Sequence, residues 1–135
     1  MMERNYGHLV TIASAAGLMP VNGLADYCAS KYAAVGFHEA IDLEISAKGL
    51  DNVSLTLVCP YYIDTGMFQG VTTKFPSILP IMDPEYASDK IVDAILMKQK
   101  MVLLPRSIYF FYALKGETHY SGTQYSDSQN GEVSE

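Results

Sequence analysis

The chain has 135 residues, 49% of them apolar, no Trp and a formal net charge of −6. Such a length supports one modest core, and nothing in it is basic enough to point to nucleic-acid binding. Cys28 and Cys59 give neither a disulfide framework nor a metal-ligand spacing, and His8, His38 and His119 lie far apart, so the expectation is a reduced, cytosol-facing chain without a zinc site.

Most of the negative charge lies in the last twenty residues, "GETHYSGTQYSDSQNGEVSE", where Glu117, Asp127, Glu132 and Glu135 face no Lys or Arg. No stretch reaches transmembrane length, and the N-terminus is not a signal peptide.

In chain order, "MMERNYG" reads as the end of a helix. "GHLVTIAS" is an apolar run whose length and Val/Ile content suit a buried parallel strand. "AAGLMPVNGLA", with Gly17, Pro20 and Gly23, reads as a loop. Asp26 is placed to cap a helix over residues 26–48 that stops at Gly49. "NVSLTLVCP" is a second buried strand, ended by Pro60. Residues 59–83 are irregular, broken by Pro60, Pro76 and Pro80. Pro84 opens a second helix, "PEYASDKIVDAILMKQK", and "MVLLP" is a third short strand. "SIYFFYALK", 107–115, is aromatic and apolar but too short to span a bilayer. Residues 116–135 carry one Val and no Ile, Leu, Met or Phe, and are expected to be a disordered acidic and polar tail. Alternating strands and helices indicate an α/β fold with about three parallel strands in residues 1–115. The pattern reads as the second half of a larger, doubly wound sheet.

Two Tyr-x-x-x-Lys pairs occur, Tyr27/Lys31 and Tyr86/Lys90. A pair at this spacing shares one helix face, so spacing alone does not separate them. Context does. Tyr27 opens a helix after a Gly-containing loop, and Ser14 stands thirteen residues earlier at the C-terminal end of a strand. Ligands of open α/β sheets bind outside those strand ends. Tyr86/Lys90 lacks such a setting and reads as a surface pair. A free tyrosine, with a pKa near ~10, is a poor base at neutral pH. A neighbouring ammonium favours its phenolate, which suits it to exchange a proton with a hydroxyl or carbonyl. A serine hydroxyl can hydrogen-bond the same oxygen. Cys28 and Cys59 read as buried small apolar groups, and His38 as a surface or interface residue.

Ser14, Tyr27 and Lys31 at this spacing resemble the catalytic pattern of the short-chain dehydrogenase/reductase family. "HLVTIASAAG" is similar to that family's serine-bearing strand, "YCASKYAAVGFHEAI" to its tyrosine-bearing helix and "VCPYYIDTGMF" to its proline–glycine loop, with Tyr61 standing where the family commonly has Gly. Across residues 1–115 the sequence most resembles the 16C subfamily of epidermal-type retinol dehydrogenases. The resemblance implies the C-terminal half of a Rossmann-type fold. It implies catalysis by Tyr27, with Lys31 and Ser14, and substrate contact by Ser14. Tyr27, Lys31, Pro60, Ile63 and Thr65 would contact NAD or NADP. An apolar alcohol such as a retinol or steroid, or its carbonyl, is the implied substrate. Endoplasmic-reticulum or lipid-droplet association, membrane-surface contact by residues 108–112 and a homo- or heterodimer through helix 26–48 are implied as well. No Gly-x-Gly-x-x-Gly phosphate loop occurs in the chain, so the alternative expectation is a catalytically inactive fragment or an interaction module.

Overall fold

The computed structural model describes residues 1–67 and 70–121, with side chains described through Lys115. Three strands, β1 (Gly7–Ile12), β2 (Val53–Pro60) and β3 (Met101–Leu104), form one sheet in the order β1-β2-β3. All pairings are parallel, running from Gly7↔Val53 to Ile12↔Val58 and from Leu57↔Met101 to Pro60↔Leu104. Parallel neighbours need crossover connections. Helix α1 (Ala25–Ala47) links β1 to β2, and α2 (Pro84–Leu96) links β2 to β3.

Side chains alternate along a strand, so β2 feeds two layers. Leu57 and Cys59 pack with Val35 of α1, Leu103 of β3 and Ile108 of α3 (Ile108–Ser121). Val58, on the opposite face, packs with Ala87 and Ala94 of α2. Helices thus cover both faces, as a parallel sheet requires. The side chains of Leu57, Leu103 and Ile108 are essentially fully buried, each stabilising the fold by about 1.5–3 kcal/mol relative to exposure. The buried stripe of α1 is Cys28, Val35, His38 and Ile45, a helical repeat that keeps one face on the sheet.

Several sequence expectations are corrected here. β1 is a half-buried edge strand rather than a buried one, because only β2 flanks it; Ile12 is 51% exposed. Residues 2–5 form turns, not a helix end. Asp26 does not cap α1: the helix starts at Ala25, Leu24 is the N-cap residue, and the Asp26 carboxylate instead accepts from the Tyr27 N–H at 2.8 Å within the first turn. His38 is 4% exposed, buried against β1, where its Nδ1 meets Thr11 Oγ1 at 2.9 Å. The "loop" after β1 contains a 3-10 turn over Ala15–Gly17. In the irregular segment after β2, Ile63 makes an isolated parallel bridge with Met82. α3 continues past Lys115 into the segment expected to be a tail; residues 122–135 lie outside the described residues.

Other expectations hold. Gly49 ends α1 with a positive φ of 64°, a conformation glycine adopts freely. Pro84 opens α2, with the Asp83 carboxylate accepting from the Glu85 and Tyr86 N–H groups.

Candidate active site

The carboxyl ends of β1 and β2 lie side by side because the two strands are in parallel register through Ile12↔Val58. Ser14 leaves β1 in extended conformation (φ −169°, ψ 157°) and caps the 3-10 turn. Its Oγ accepts from the Ala16 N–H at 3.1 Å and donates to the Pro60 carbonyl at 3.4 Å. The serine therefore ties the two strand ends together. The second of these bonds lies at the long end of hydrogen-bond range, so that O–H can be redirected at little cost.

The 3-10 turn packs against α1 at close range. A Cβ added to Gly17 would lie 2.6 Å from the Lys31 carbonyl oxygen and 3.0 Å from Val35 Cγ2. Glycine is thus required by the approach of two backbones, and that approach brings the first turns of α1 to the strand ends. Tyr27 and Lys31 are half-buried there, with the Lys31 Nζ 5.5 Å from the centroid of the Tyr27 ring.

Between these elements opens a cleft of about 310 Å³. Ser14, Tyr27, Pro60, Ile63 and Thr65 all line it, and Met19, Val21 and Leu24 make its walls mainly apolar. Backbone bonds hold the far wall. Tyr61 N–H donates to the Leu104 carbonyl at 2.7 Å, Met82 N–H to the Tyr62 carbonyl at 2.9 Å and Thr65 N–H to the Ile63 carbonyl at 2.8 Å. The cleft so brings together every residue singled out from the sequence except Lys31, which stands beside Tyr27 and does not line the cavity.

Sequence reasoning missed Tyr62, Met19, Val21 and Leu24, and met Tyr61 only as a departure from glycine. The signal for all five was position: Tyr61 and Tyr62 directly follow β2, and Met19, Val21 and Leu24 lie in the segment that joins β1 to α1. Tyr61 and Tyr62 stack edge to face at 4.8 Å. Burial first, then the neighbouring phenols of Tyr61 and Tyr27, holds the Tyr62 hydroxyl above the usual phenol range. Tyr62 is therefore a neutral donor at ordinary pH. Burial likewise pushes the Cys59 thiol up to about 11, against the opposing hydrogen bond from the Ser14 backbone and the more distant Lys31 charge. Cys59 is an inert floor beneath the site.

The second pair is a control built into the chain. Lys90 Nζ lies 5.8 Å from the Tyr86 ring centroid, nearly the same local geometry as Tyr27/Lys31. Yet Tyr86 is 52% exposed, and Lys90 pairs with Asp93 at 3.9 Å on the surface of α2. Proximity to Ser14 and the cleft, not the i,i+4 pair, distinguishes the first site.

Residues 1–75 match the short chain dehydrogenase family. Over 115 residues, 85% of this chain, the sequence is 55% identical to epidermal retinol dehydrogenase 2 of Mus musculus and covers 37% of that protein. Identity to short-chain dehydrogenase/reductase family 16C member 6 of Bos taurus is 46% over 115 residues, with 36% of that protein covered. The chain thus spans little more than a third of the length of these relatives. A short chain dehydrogenase/reductase from Burkholderia phymatum in complex with NAD superposes with a TM-score of 0.69 at 19% identity, over 97% of this chain and 54% of that one. For a short-chain dehydrogenase from Sphingobium yanoikuyae in complex with NADPH the TM-score is 0.66 at 18% identity, over 99% and 52% of the two chains. Sequence match, parallel α/β architecture and these superpositions agree that the chain belongs to the short-chain dehydrogenase family.

Proposed function

We propose that the cleft is the substrate- and nicotinamide-facing part of an oxidoreductase site acting on the CH–OH group of an apolar alcohol, retinol- or steroid-like, or on the matching carbonyl, with NAD or NADP. The observation that carries this reading is the convergence of Ser14, Tyr27 and Thr65 on one apolar-walled cleft, with the Lys31 ammonium beside Tyr27.

The residues present suit the nicotinamide end of such a cofactor. Pro60 and Ile63 offer backbone and an apolar surface, and Thr65 offers a hydroxyl at the rim. When bound, the dinucleotide supplies the acceptor or donor of hydride. The chain's own groups handle the proton. Tyr27 removes it from, or returns it to, the substrate oxygen at its phenolic oxygen. Lys31 favours the phenolate by its positive charge, and its ammonium is the group assigned to the nicotinamide ribose. Ser14 turns its O–H from the Pro60 carbonyl to the substrate oxygen and steadies the charge developing there. Met19, Val21 and Leu24 hold the apolar body of the substrate and keep water from the reacting oxygen.

Exposed Phe37 (63%) and Leu43 (72%) on α1 support a dimer contact through that helix, and Phe110 (65%) on α3 supports contact with a membrane or lipid-droplet surface. An endoplasmic-reticulum setting is part of the same proposal and rests on the likeness to retinol dehydrogenases. No helix among the described residues is long and apolar enough to cross a membrane.

The test is titration of NAD and NADP into the purified 135-residue chain by calorimetry, followed by turnover of retinoid and steroid alcohols. Binding weakened by Thr65→Ala, with Tyr27→Phe retaining binding and losing turnover, supports the reading. A chain that is folded by circular dichroism yet binds neither cofactor refutes it for this chain acting alone, and favours a role through association with another chain.

A further inference from the structure

Leu18 closes the 3-10 turn over Ala15–Gly17 as its C-cap residue. Carbonyls at a helix end have no partner within the helix, and Leu18 is only 4% exposed, so its carbonyl needs a partner from elsewhere. Two distant elements supply one each. Tyr32 Oη of α1 donates to the Leu18 carbonyl at 2.7 Å, and Lys115 Nζ of α3 donates to the same oxygen. The ammonium also donates to Tyr32 Oη at 2.8 Å and lies 5.2 Å from the centroid of its ring. A carbonyl has two lone pairs, and a phenol can donate and accept at once, so the three groups close into a triangle. The positive charge strengthens the two bonds that Lys115 makes. Tyr32 is 38% exposed, so its hydroxyl contributes more here than core filling by its ring.

One residue further on, the chain becomes the apolar wall of the cleft, where Met19, Pro20 and Val21 line it. Pro20 has no N–H with which to anchor itself. The next side-chain tie comes at Val21, whose N–H donates to Cys28 Sγ at 3.3 Å while the thiol reaches the Val21 carbonyl at 3.8 Å. Met19 and Pro20 are thus strung between two ties to α1. Cys28 and Tyr32 are four residues apart and share one face of that helix. Each directly follows a member of the Tyr27/Lys31 pair. The turns of α1 that present the pair therefore also hold the wall beside it.

We propose that Tyr32 and Lys115 are positioning residues of the cleft: through the Leu18 carbonyl they set where Met19 and Pro20 stand, and so how the apolar body of a substrate is held relative to Tyr27. This rests on the reading of the cleft as a substrate site. Neither residue lines the cavity; both act through the backbone of residue 18. Because Lys115 belongs to α3, the wall depends on a helix that follows the last strand.

The experiment uses the full 135-residue chain with methyl-labelled methionine. The Met19 methyl signal, assigned through Met19→Leu, reads the wall. The Met82 signal, from the α2 side of the sheet, is the internal reference. Retinol, titrated by its own fluorescence, is the ligand probe. Tyr32→Phe keeps the ring and loses both hydroxyl bonds, Lys115→Met keeps the stem and loses the charge, and Lys115→Arg keeps a charged donor. Tyr32→Phe and Lys115→Met are expected to shift the Met19 signal, leave Met82 in place and weaken retinol binding by about three- to tenfold. Lys115→Arg should stay close to the parent in all three readouts. A Met19 signal unchanged in both Tyr32→Phe and Lys115→Met overturns the proposal. So does a joint shift of Met19 and Met82, which would mean general loosening, and so does a shifted Met19 signal with unchanged retinol affinity. If the parent itself binds no retinol, the reading of the cleft as a site for a retinol-like alcohol fails, and the Met19 and Met82 signals still decide whether Tyr32 and Lys115 hold the wall.

Discussion

Replacing Gly17 by alanine tests the contact that brings α1 to the strand ends. The new methyl would lie 2.6 Å from the Lys31 carbonyl oxygen and 2.8 Å from its carbonyl carbon. Carbon contacts are comfortable near ~3.5–4.0 Å, so the two backbones must separate by roughly 1 Å. Neither is a flexible side-chain end that can swing aside. Overpacking of this kind costs about 1–3 kcal/mol. The lost freedom of the unfolded chain returns only about 0.4–1 kcal/mol. The clash wins, leaving a net loss on the order of 1–2 kcal/mol and a Tm lower by roughly 3–10 °C. The displaced segment carries Lys31 and, one turn earlier, Tyr27, so affinity for any ligand of the cleft should fall as well. Thermal unfolding followed by circular dichroism is the assay. A Tm within about 1 °C of the parent would mean that the 3-10 turn and α1 are not in this contact, and that the site's geometry has been misread.

Three further outcomes are expected. Burial depresses the His38 pKa, partly offset by Asp42 and Glu39, so the unfolded chain binds the proton more readily; stability should fall as the pH drops below the unfolded value of 6.5. His38→Asn, which keeps a donor toward Thr11, should flatten that decline in melts between about pH 7 and 5. Cys59, with its thiol at about 11 against an ordinary 9.0, should resist a thiol reagent in the folded chain and react once denatured; its contribution to stability is whole below 9.0 and lost as the pH climbs towards 11. Lys115 Nζ and Tyr32 Oη both donate to the Leu18 carbonyl, at 2.5 Å and 2.7 Å, beside the cleft wall. Lys115 Nζ also donates to Tyr32 Oη at 2.8 Å, a bond that either substitution removes, so Lys115→Met and Tyr32→Phe together should destabilise by about 0.5–1 kcal/mol less than the sum of the single effects, read by a double-mutant cycle in urea.

What was legible in the sequence and what was not divide along the range of the interaction. Continuous apolar runs, prolines and glycines marked the three strands, α1 and α2, because strand and helix periods and their stop signals act over a few residues. Ser14, Tyr27 and Lys31 were legible through spacing and resemblance, and the three parallel strands through the alternation of elements. Details that depend on neighbours were not. Asp26 is a favourable capping residue type, but α1 starts one residue before it, so its carboxylate has no cap position to fill. His38 belongs to the buried stripe of α1 only because β1 presents Thr11 beneath it. The turn glycines looked alike, yet among the described residues only Gly17 meets another backbone.

By itself the sequence determined the order of strands and helices and the candidate chemistry at their ends, since both rest on local periodicity and residue type. Only the tertiary structure decided that Ser14, Tyr27, Pro60 and Thr65 line one cleft. Context along the chain already set Tyr27/Lys31 apart from Tyr86/Lys90, but the meeting of the strand ends depends on the parallel register of β1 and β2. That register brings Ser14 and Pro60, forty-six residues apart, to one edge, and no local pattern encodes such a meeting.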